Sequence, residues 1–254
     1  MTASKFDIPW RTTLTIASFV CFGVGSLILG LLWFPIVHLV VTNRANAQRT
    51  CRKSVHYSFR LFIAFTRITR VVGYDISGTH NFQPGQLIVA NHPSLIDVIL
   101  IGAQISDAYY VVKEGIRHNF FTSLVVRSTG WVSSLDPEQM IEQCVKILKG
   151  GGNVVMFPEG TRTAPGRHLS FKRGASVVFL KSASDLVPVY LQISPQILAK
   201  GQAWFKAAEH KVQYQMDIGR PLSLCEIMPE DGSERHNTRI CTARLQKLFA
   251  DKLR

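Results

Sequence analysis

The 254-residue sequence has few cysteines and no closely spaced cysteine pair, which argues against a disulfide framework or a zinc ribbon. A reducing compartment is the simpler setting for a chain of this kind. Charged residues are also scarce, at 18%, whereas hydrophobic residues make up 46%. That balance supplies ample material for a core and excludes a disordered or fibrous chain. The five cysteines lie far apart, at Cys21, Cys51, Cys144, Cys225 and Cys241.

Acidic residues are outnumbered, since 29 lysines and arginines face 17 aspartates and glutamates and give a formal net charge of +12. A balance so strongly basic predicts an anionic partner: a phosphate-bearing lipid, a nucleic acid or a phosphorylated metabolite. The excess is concentrated near the amino terminus. From residue 8 to residue 74 the chain has eight basic residues and no acidic one.

Charge of either sign is missing between Arg11 and Arg44, and residues 14–41 are almost wholly apolar. As a straight helix this segment would measure about 42 Å, more than the hydrocarbon core of about 30 Å. The apolar part of a cleaved signal peptide has only about 7–15 residues, so we expect a retained membrane anchor, with a buried core helix as the alternative. Pro35 favours a kink, which leaves open a tilted single span and a hairpin dipped into one leaflet.

The residues that flank this segment indicate its orientation. Lys5 and Arg11 precede it, and a denser basic group follows it, so the positive-inside rule places the long carboxyl-terminal part in the cytoplasm, at the inner membrane. Aromatic and aliphatic residues then alternate with Arg60 and Arg67. This pattern predicts either an amphipathic helix on anionic headgroups or a helix that packs on the core with a basic, solvated edge. The basic group consists of Arg44, Arg49, Arg52 and Lys53.

The remainder of the chain alternates between short apolar runs and helical patterns, which is typical of an α/β fold. We expect a largely parallel sheet flanked by helices and preceded by the membrane-anchoring helical segment. Residues 1–72 would form the anchor with its basic amphipathic helix, and residues 73–254 one folded domain. The predicted strands cover residues 86–90, 109–112, 153–157, 187–193 and 212–218, and the predicted helices cover 94–104, 137–149, 171–184 and 236–252.

One short segment, Asn91-His-Pro-Ser-Leu-Ile-Asp97, combines a histidine with an aspartate at a strand-to-helix corner. Across such a corner the carboxylate can fold back to accept from the imidazole Nδ1, which leaves Nε2 as a base. His92 and Asp97 are therefore candidate catalytic residues, and a buried histidine beside a capping aspartate is the structural alternative. A metal site would need a third ligand at suitable spacing, and the chain has no G-x-S-x-G nucleophile elbow.

Two further predicted strands run into basic turns. The first turn, Phe157-Pro-Glu-Gly-Thr-Arg162, presents a carboxylate and a guanidinium at the sheet edge where ligands of α/β proteins gather. The second contains Lys113 and Arg117. Lys172 and Arg173 follow soon after the first turn, at the predicted start of a helix. Together these residues predict an anion site, and solvated surface charge is the alternative for each of them.

In combination these segments resemble the glycerolipid acyltransferase family, whose best-known members acylate 1-acyl-glycerol-3-phosphate. The likeness covers about residues 85–195 and rests on four motifs in the family's order, at 91–97, 113–117, 157–162 and 187–189. The first and third motifs are highly specific together. The resemblance implies a catalytic domain that moves a fatty acyl group from acyl-CoA or acyl-carrier protein to a lysophospholipid hydroxyl, without a cofactor or a metal.

The resemblance also implies roles for individual residues. His92 would be the general base that deprotonates the acceptor hydroxyl, and Asp97 would orient and charge its imidazole. Arg162 would bind the acceptor phosphate with Lys113 as a second ligand, and Glu159 would position glycerol hydroxyls. The other substrate-binding candidates lie in the same turn or in the basic segments: Gly160, Thr161, Arg117, Lys172 and Arg173.

Other functions stay open at this point. Within the family, the acceptor could be a lyso-ornithine lipid or another specialised lipid, which would need less phosphate binding. A non-catalytic protein that binds membrane surfaces would explain the charge and the anchor, but not the His–Asp spacing beside the Pro-Glu-Gly-Thr-Arg turn. Nucleic-acid binding is disfavoured because no recognition helix or aromatic stacking motif accompanies the charge.

Overall fold

The computed structural model describes residues 7–78, 81–119, 122–163, 168–198, 210–228 and 233–253. The chain begins with a continuous helical rod made of α1 (Asp7–Ile28), a π-helical segment (Leu29–Trp33) and α2 (Phe34–Val40). Pro35 lacks an amide hydrogen, and the wider π turn directly before it lets the rod continue. Within the described residues, Thr12–Val40 is the one helix long and apolar enough to cross a bilayer, with a mean hydropathy of 2.2.

A second long helix, α3 (Arg44–Ile68), returns antiparallel to the rod. Its start is capped by the Asn43 side chain, which accepts a hydrogen bond from a backbone N–H of the first turn. The rings of Phe19 and Phe62 pack with their centroids 6.1 Å apart, and further along Trp33 Nε1 donates to Ser54 Oγ at 2.8 Å. The rod and α3 therefore pack side by side over most of their length.

The two long sides of α3 differ in polarity. Its buried side chains recur every three or four residues and include Ala47, Cys51, Val55, Phe59 and Phe62. On the outer side Leu61 is 72% exposed and Ile68 is 80% exposed, beside the exposed guanidinium groups of Arg60 and Arg67. The helix thus packs on the core, which was one of the two structures predicted from the sequence. It also presents a mixed apolar and basic face on its outer side.

Seven strands form one sheet in the order β1-β7-β6-β2-β5-β3-β4, and its pairs are parallel except for β6 with β7. This arrangement confirms the predicted fold class. Five strands fall where the apolar runs predicted them, and two others were missed because β1 is mostly exposed and β4 has two residues. The strands are β1 (Val72–Ser77), β2 (Leu87–Ala90), β3 (Ala108–Val112), β4 (Val132–Ser133), β5 (Asn153–Met156), β6 (Leu186–Ser194) and β7 (Val212–Ile218).

Helices cover both faces of the sheet, because alternate strand residues point to opposite sides. In β2, Ile88 belongs to the core on the side of α3, whereas Leu87 belongs to the core on the side of α7, α8 and α10. The first core also includes residues of α2 and α3, and the domain boundary at residue 72 stays a prediction. The remaining helices are α4 (Asp97–Gly102), α5 (Glu114–Arg117), α6 (Ser123–Thr129), α7 (Pro137–Lys149), α8 (Gly174–Ser182), α9 (Leu224–Ile227) and α10 (Glu234–Lys252).

Candidate active site

Three neighbouring parallel strands, β2, β5 and β3, end at the same edge of the sheet. His92 follows the end of β2, the turn that contains Glu159 follows β5, and Lys113 follows β3. The segments that the sequence singled out are therefore brought to one edge by the topology alone. In open α/β sheets this carboxyl-terminal edge is where ligands bind.

His92 and Asp97 form a hydrogen-bonded pair, with 2.6 Å between the histidine Nδ1 and the aspartate Oδ2. Asp97 is the first residue of α4, and the preceding turn folds its carboxylate back toward the end of β2. The backbone N–H of Ser94 donates to the same Oδ2 at 2.8 Å and fixes the carboxylate in this position. The five-residue spacing thus produces the contact that the sequence predicted.

Burial controls the charge of this pair. The Asp97 side chain is fully buried, and this desolvation raises the pKa of its carboxyl to about 6, although the hydrogen bonds from His92 and Ser94 oppose the shift. The carboxylate is therefore ionised at neutral pH and accepts the Nδ1 proton of the imidazole. No described residue forms a hydrogen bond with Nε2 of His92, whose side chain stacks on Phe157 at 4.3 Å and is 15% exposed. Nε2 is accessible as a proton acceptor.

Glu159 ties two loops together. Its carboxylate is buried, and Oε1 accepts the backbone N–H of His92 at 2.8 Å while Oε2 accepts the hydroxyl of Thr163. The backbone N–H of Thr163 in turn donates to the carbonyl of His92 at 2.8 Å. The resemblance implied that Glu159 positions glycerol hydroxyls. Both of its oxygens are instead engaged by protein donors that hold the imidazole-bearing loop against the loop after β5.

Two residues with no assigned role in the sequence also support this loop. Gln196 Nε2 donates to the carbonyls of Pro93 and Thr163 at 3.3 and 3.2 Å, so one amide bridges both loops. The Asn91 side chain pairs with both backbone polar groups of Leu191 at 2.8 Å and extends the contact between β2 and β6. Asn91 stands in the first motif, but nothing in the sequence pattern pointed to Gln196.

The turn after β5 places the guanidinium of Arg162 near the loop that carries His92. Arg162 is half-buried, and its guanidinium donates to the carbonyl of Leu198 at 2.7 Å, which orients the side chain. Gly160 has a φ of +65°, a conformation that favours glycine, and a Cβ there would lie 3.2 Å from Nζ of Lys172. The Lys172 side chain therefore lies over the turn, next to the exposed Thr161.

The other predicted residues lie at the same edge but further out. Lys113 is exposed and precedes α5, and Arg173 is exposed and precedes α8. Arg117 ends α5, and its side chain lies outside the described part of the chain. The described residues contain no group of three or more metal-ligating side chains that could hold an ion. The site accordingly brings together an imidazole with an accessible Nε2, a buried carboxylate hydrogen-bonded to its Nδ1, and several cationic side chains.

Comparison with known proteins matches residues 73–192 to the family described as Acyltransferase. A 1-acyl-sn-glycerol-3-phosphate acyltransferase of Helicobacter pylori is 27% identical over 196 residues, which are 72% of this chain and 80% of the relative. A protein with the same description from Pseudomonas aeruginosa is 24% identical over 224 residues, covering 81% of this chain and 79% of the relative.

A chloroplast 1-acyl-sn-glycerol-3-phosphate acyltransferase of Brassica napus is 26% identical over 200 residues, covering 72% of this chain. The chain spans about half the length of this relative and of a similar one from Arabidopsis thaliana, at 55% and 44%. Among solved structures, the crystal structure of the 1-acyl-sn-glycerophosphate acyltransferase PlsC of Thermotoga maritima superposes with a TM-score of 0.69 at 18% identity. The superposition covers 95% of this chain and 97% of the other, so the two proteins share their fold over nearly the whole chain.

Proposed function

We propose that this chain acylates 1-acyl-glycerol-3-phosphate, because residues 73–192 match the acyltransferase family and two relatives described as 1-acyl-sn-glycerol-3-phosphate acyltransferases are 26% and 27% identical to it. The acyl group comes from a thioester donor, acyl-CoA or acyl-carrier protein, and the product is phosphatidic acid. The observation that carries the proposal is the 2.6 Å contact between His92 Nδ1 and Asp97 Oδ2, which leaves Nε2 accessible.

In the proposed reaction, His92 Nε2 takes the proton of the acceptor hydroxyl as that oxygen attacks the thioester carbonyl. Asp97 stabilises the imidazolium that forms. Collapse of the tetrahedral intermediate breaks the carbon–sulfur bond, and the departing thiolate takes the proton from Nε2. A thiol with a pKa near 8.5, the value of free cysteine, leaves with little acid assistance. Because the acceptor oxygen attacks the thioester carbonyl directly, the proposed reaction forms no acyl-enzyme.

Arg162 and Lys172 are the proposed ligands of the acceptor phosphate, with Lys113 as a third cation at the same edge. The guanidinium of Arg162 suits a phosphate because its planar donors can bind two oxygens at once. Glu159 acts on the acceptor only through the protein, by fixing the loop that carries His92. Its two hydrogen bonds support this role, whereas the resemblance implied direct contact with glycerol hydroxyls.

We also propose that the amino-terminal helices attach the enzyme to the cytoplasmic face of a membrane, where its acceptor resides. The rod exposes large apolar side chains along its length, among them Leu31, Ile36 and Leu39. Because α3 packs along the rod, a perpendicular span would carry Arg60 and Arg67 toward the hydrocarbon, at about 2.5 to 3.5 kcal/mol each at the centre. An orientation with the helix pair along one leaflet avoids this cost.

The test is to offer the purified enzyme mixed lyso-acceptors with each donor type and to identify the products by mass spectrometry. We expect phosphatidic acid, and we expect its formation to be lost in His92→Ala while binding to lipid vesicles is retained. Preferential acylation of a lyso-ornithine or other phosphate-free lipid would refute the acceptor. Full turnover by His92→Ala would refute the base. Absence of acyl transfer by the wild type with either donor, together with retained vesicle binding, would favour a non-catalytic membrane binder.

A further inference from the structure

A cationic groove lies between the start of α8 and residues 239–250 of α10, and it shares Arg173 with the site described above. Its volume is about 360 Å³, and the side chains of Arg173, Arg239 and Lys247 line it. The backbone N–H of Phe171 donates to Gln246 Oε1 at 3.0 Å, which joins the segment before α8 to α10 at the groove. The floor is apolar because Phe171, Ala243 and Ala250 contribute to it.

The positive charge of this groove is not neutralised by neighbouring acidic side chains among the described residues. None of the described residues that line it is acidic, and within the described ranges no ion pair involves Arg173, Arg239 or Lys247. All three side chains are exposed. Three cations around one small depression attract a ligand that carries several negative charges close together, and the apolar floor favours a planar ring on the same ligand.

The groove begins next to the catalytic edge. Arg173 directly follows Lys172, whose side chain lies over the Gly160 turn. A second cavity of about 490 Å³ borders the same end of α10 at Leu253 and reaches Pro93 and Thr163, in the two loops that flank the imidazole. Polar amide side chains line much of its wall: Asn91, Gln192, Gln196, Gln213 and Gln215. Such a wall suits a narrow ligand that itself contains amide groups.

We propose that the groove binds the phosphorylated adenosine end of acyl-CoA and that the second cavity takes its amide-containing arm, which delivers the thioester to His92. The inference rests on the proposed acyl transfer and deepens it by naming the donor and its site. The volume of the groove suits a nucleotide, because 360 Å³ falls within the range of small-molecule pockets, about 300–1,000 Å³. A stable protein interface would instead need about 800 Å² on each partner.

The test uses the full chain in detergent with adenosine 3′,5′-bisphosphate as the probe, titrated calorimetrically in low and high salt. We expect binding that weakens as salt screens the phosphates. The paired variant Arg239→Glu/Lys247→Glu should weaken this binding at least tenfold, because each lost charge-assisted contact is worth about a factor of ten. The control Arg235→Glu/Lys146→Glu makes the same two charge reversals at exposed positions outside the groove and should bind the probe as the wild type does.

Kinetics separate this inference from the function on which it rests. The groove variant should raise the KM for acyl-CoA at least tenfold and leave the KM for the lysophospholipid within twofold. An unchanged KM for acyl-CoA in an active enzyme would refute the groove but not the acyl transfer. Absence of probe binding to the wild type at millimolar concentration would also overturn the inference. So would a groove variant impaired only with acyl-carrier protein, which would make the groove a protein-docking surface.

Discussion

Replacing Asp97 with asparagine isolates the contribution of its charge to catalysis. Oδ2 accepts both the Nδ1 proton of His92 and the backbone N–H of Ser94, at 2.6 and 2.8 Å. An amide NH₂ in that position would face the Ser94 N–H, so the asparagine oxygen should occupy it. The imidazole then keeps the same tautomer and orientation. Only the negative charge that stabilises the imidazolium is lost.

The size of that loss follows from the separation of the two charges. With charge centres about 4 Å apart and an effective dielectric constant of about 20, the attraction is about 4 kcal/mol. Each 1.36 kcal/mol changes a rate about tenfold, so kcat should fall about a thousandfold in Asp97→Asn. Asp97 is fully buried, and among the described residues its side chain is hydrogen-bonded to His92 and Ser94. Its replacement should therefore change the KM for the acceptor little.

The assay is thiol release from the donor at saturating lysophosphatidic acid in mixed micelles, with thermal unfolding measured in parallel. Asp136→Asn is the matched control: this exposed aspartate caps α7 by accepting two backbone N–H bonds, and asparagine caps as well. Its activity should stay within twofold of the wild type. If Asp97→Asn is folded and retains more than a tenth of the wild-type kcat, the charge of the carboxylate does not stabilise the imidazolium and the proposed mechanism is wrong.

Three further predictions follow from the same geometry. The pKa of the Asp97 carboxyl is raised to about 6, so acidification through that pH protonates Asp97 and removes the charge that stabilises the imidazolium. We therefore expect kcat/KM to fall up to tenfold per unit below pH 6, and constant activity down to pH 5 would contradict this. Glu159→Ala should lower kcat about 10- to 100-fold with little change in the KM for the acceptor, whereas Glu159→Gln should restore most activity. A rise in KM alone would instead indicate that Glu159 contacts the substrate directly. Leu61→Asp/Ile68→Asp should lower partitioning onto anionic vesicles at least about a hundredfold, because each buried apolar side chain contributes about 1.5–3 kcal/mol. Equal binding by the variant and the wild type in a sedimentation assay would exclude the outer face of α3 from the membrane contact.

Much of the fold could be predicted because local signals agreed with the tertiary structure. Helix α7 begins and ends as expected, since Asp136 caps it, Pro137 starts it and Gly150 stops it. Buried strands were recognisable as apolar runs for the same reason. Strand β1 was not, because only Val72 is buried and the strand pairs as an edge with β7. The helix predicted from residue 94 begins at Asp97, because the preceding residues form the turn that returns its carboxylate to His92.

The site divides in a similar way between local and distant contacts. The His92–Asp97 pair spans five residues and could be read from spacing, since a strand-to-helix corner determines its geometry. The contact of Glu159 with the His92 backbone spans 67 residues, and that of Gln196 with Pro93 spans 103. Both depend on which strands are neighbours in the sheet. No local pattern specifies that order, so the sequence indicated Glu159 as functional but could not indicate how it acts.

The two faces of the sheet explain how the proposed reaction proceeds without an acyl-enzyme. Direct transfer requires that both substrates are bound when His92 takes the proton. Helix α3 and the apolar rod lie on one face, where Asp97 begins α4, so the proposed lipid acceptor would enter from that side. The cationic groove lies on the opposite face, between α8 and α10. The loop that carries His92 lies at the edge between these faces, held there by its hydrogen bonds with Glu159 and Gln196. In the proposed reaction, a lipid-bound alcohol and a water-soluble thioester would therefore approach this loop from different sides.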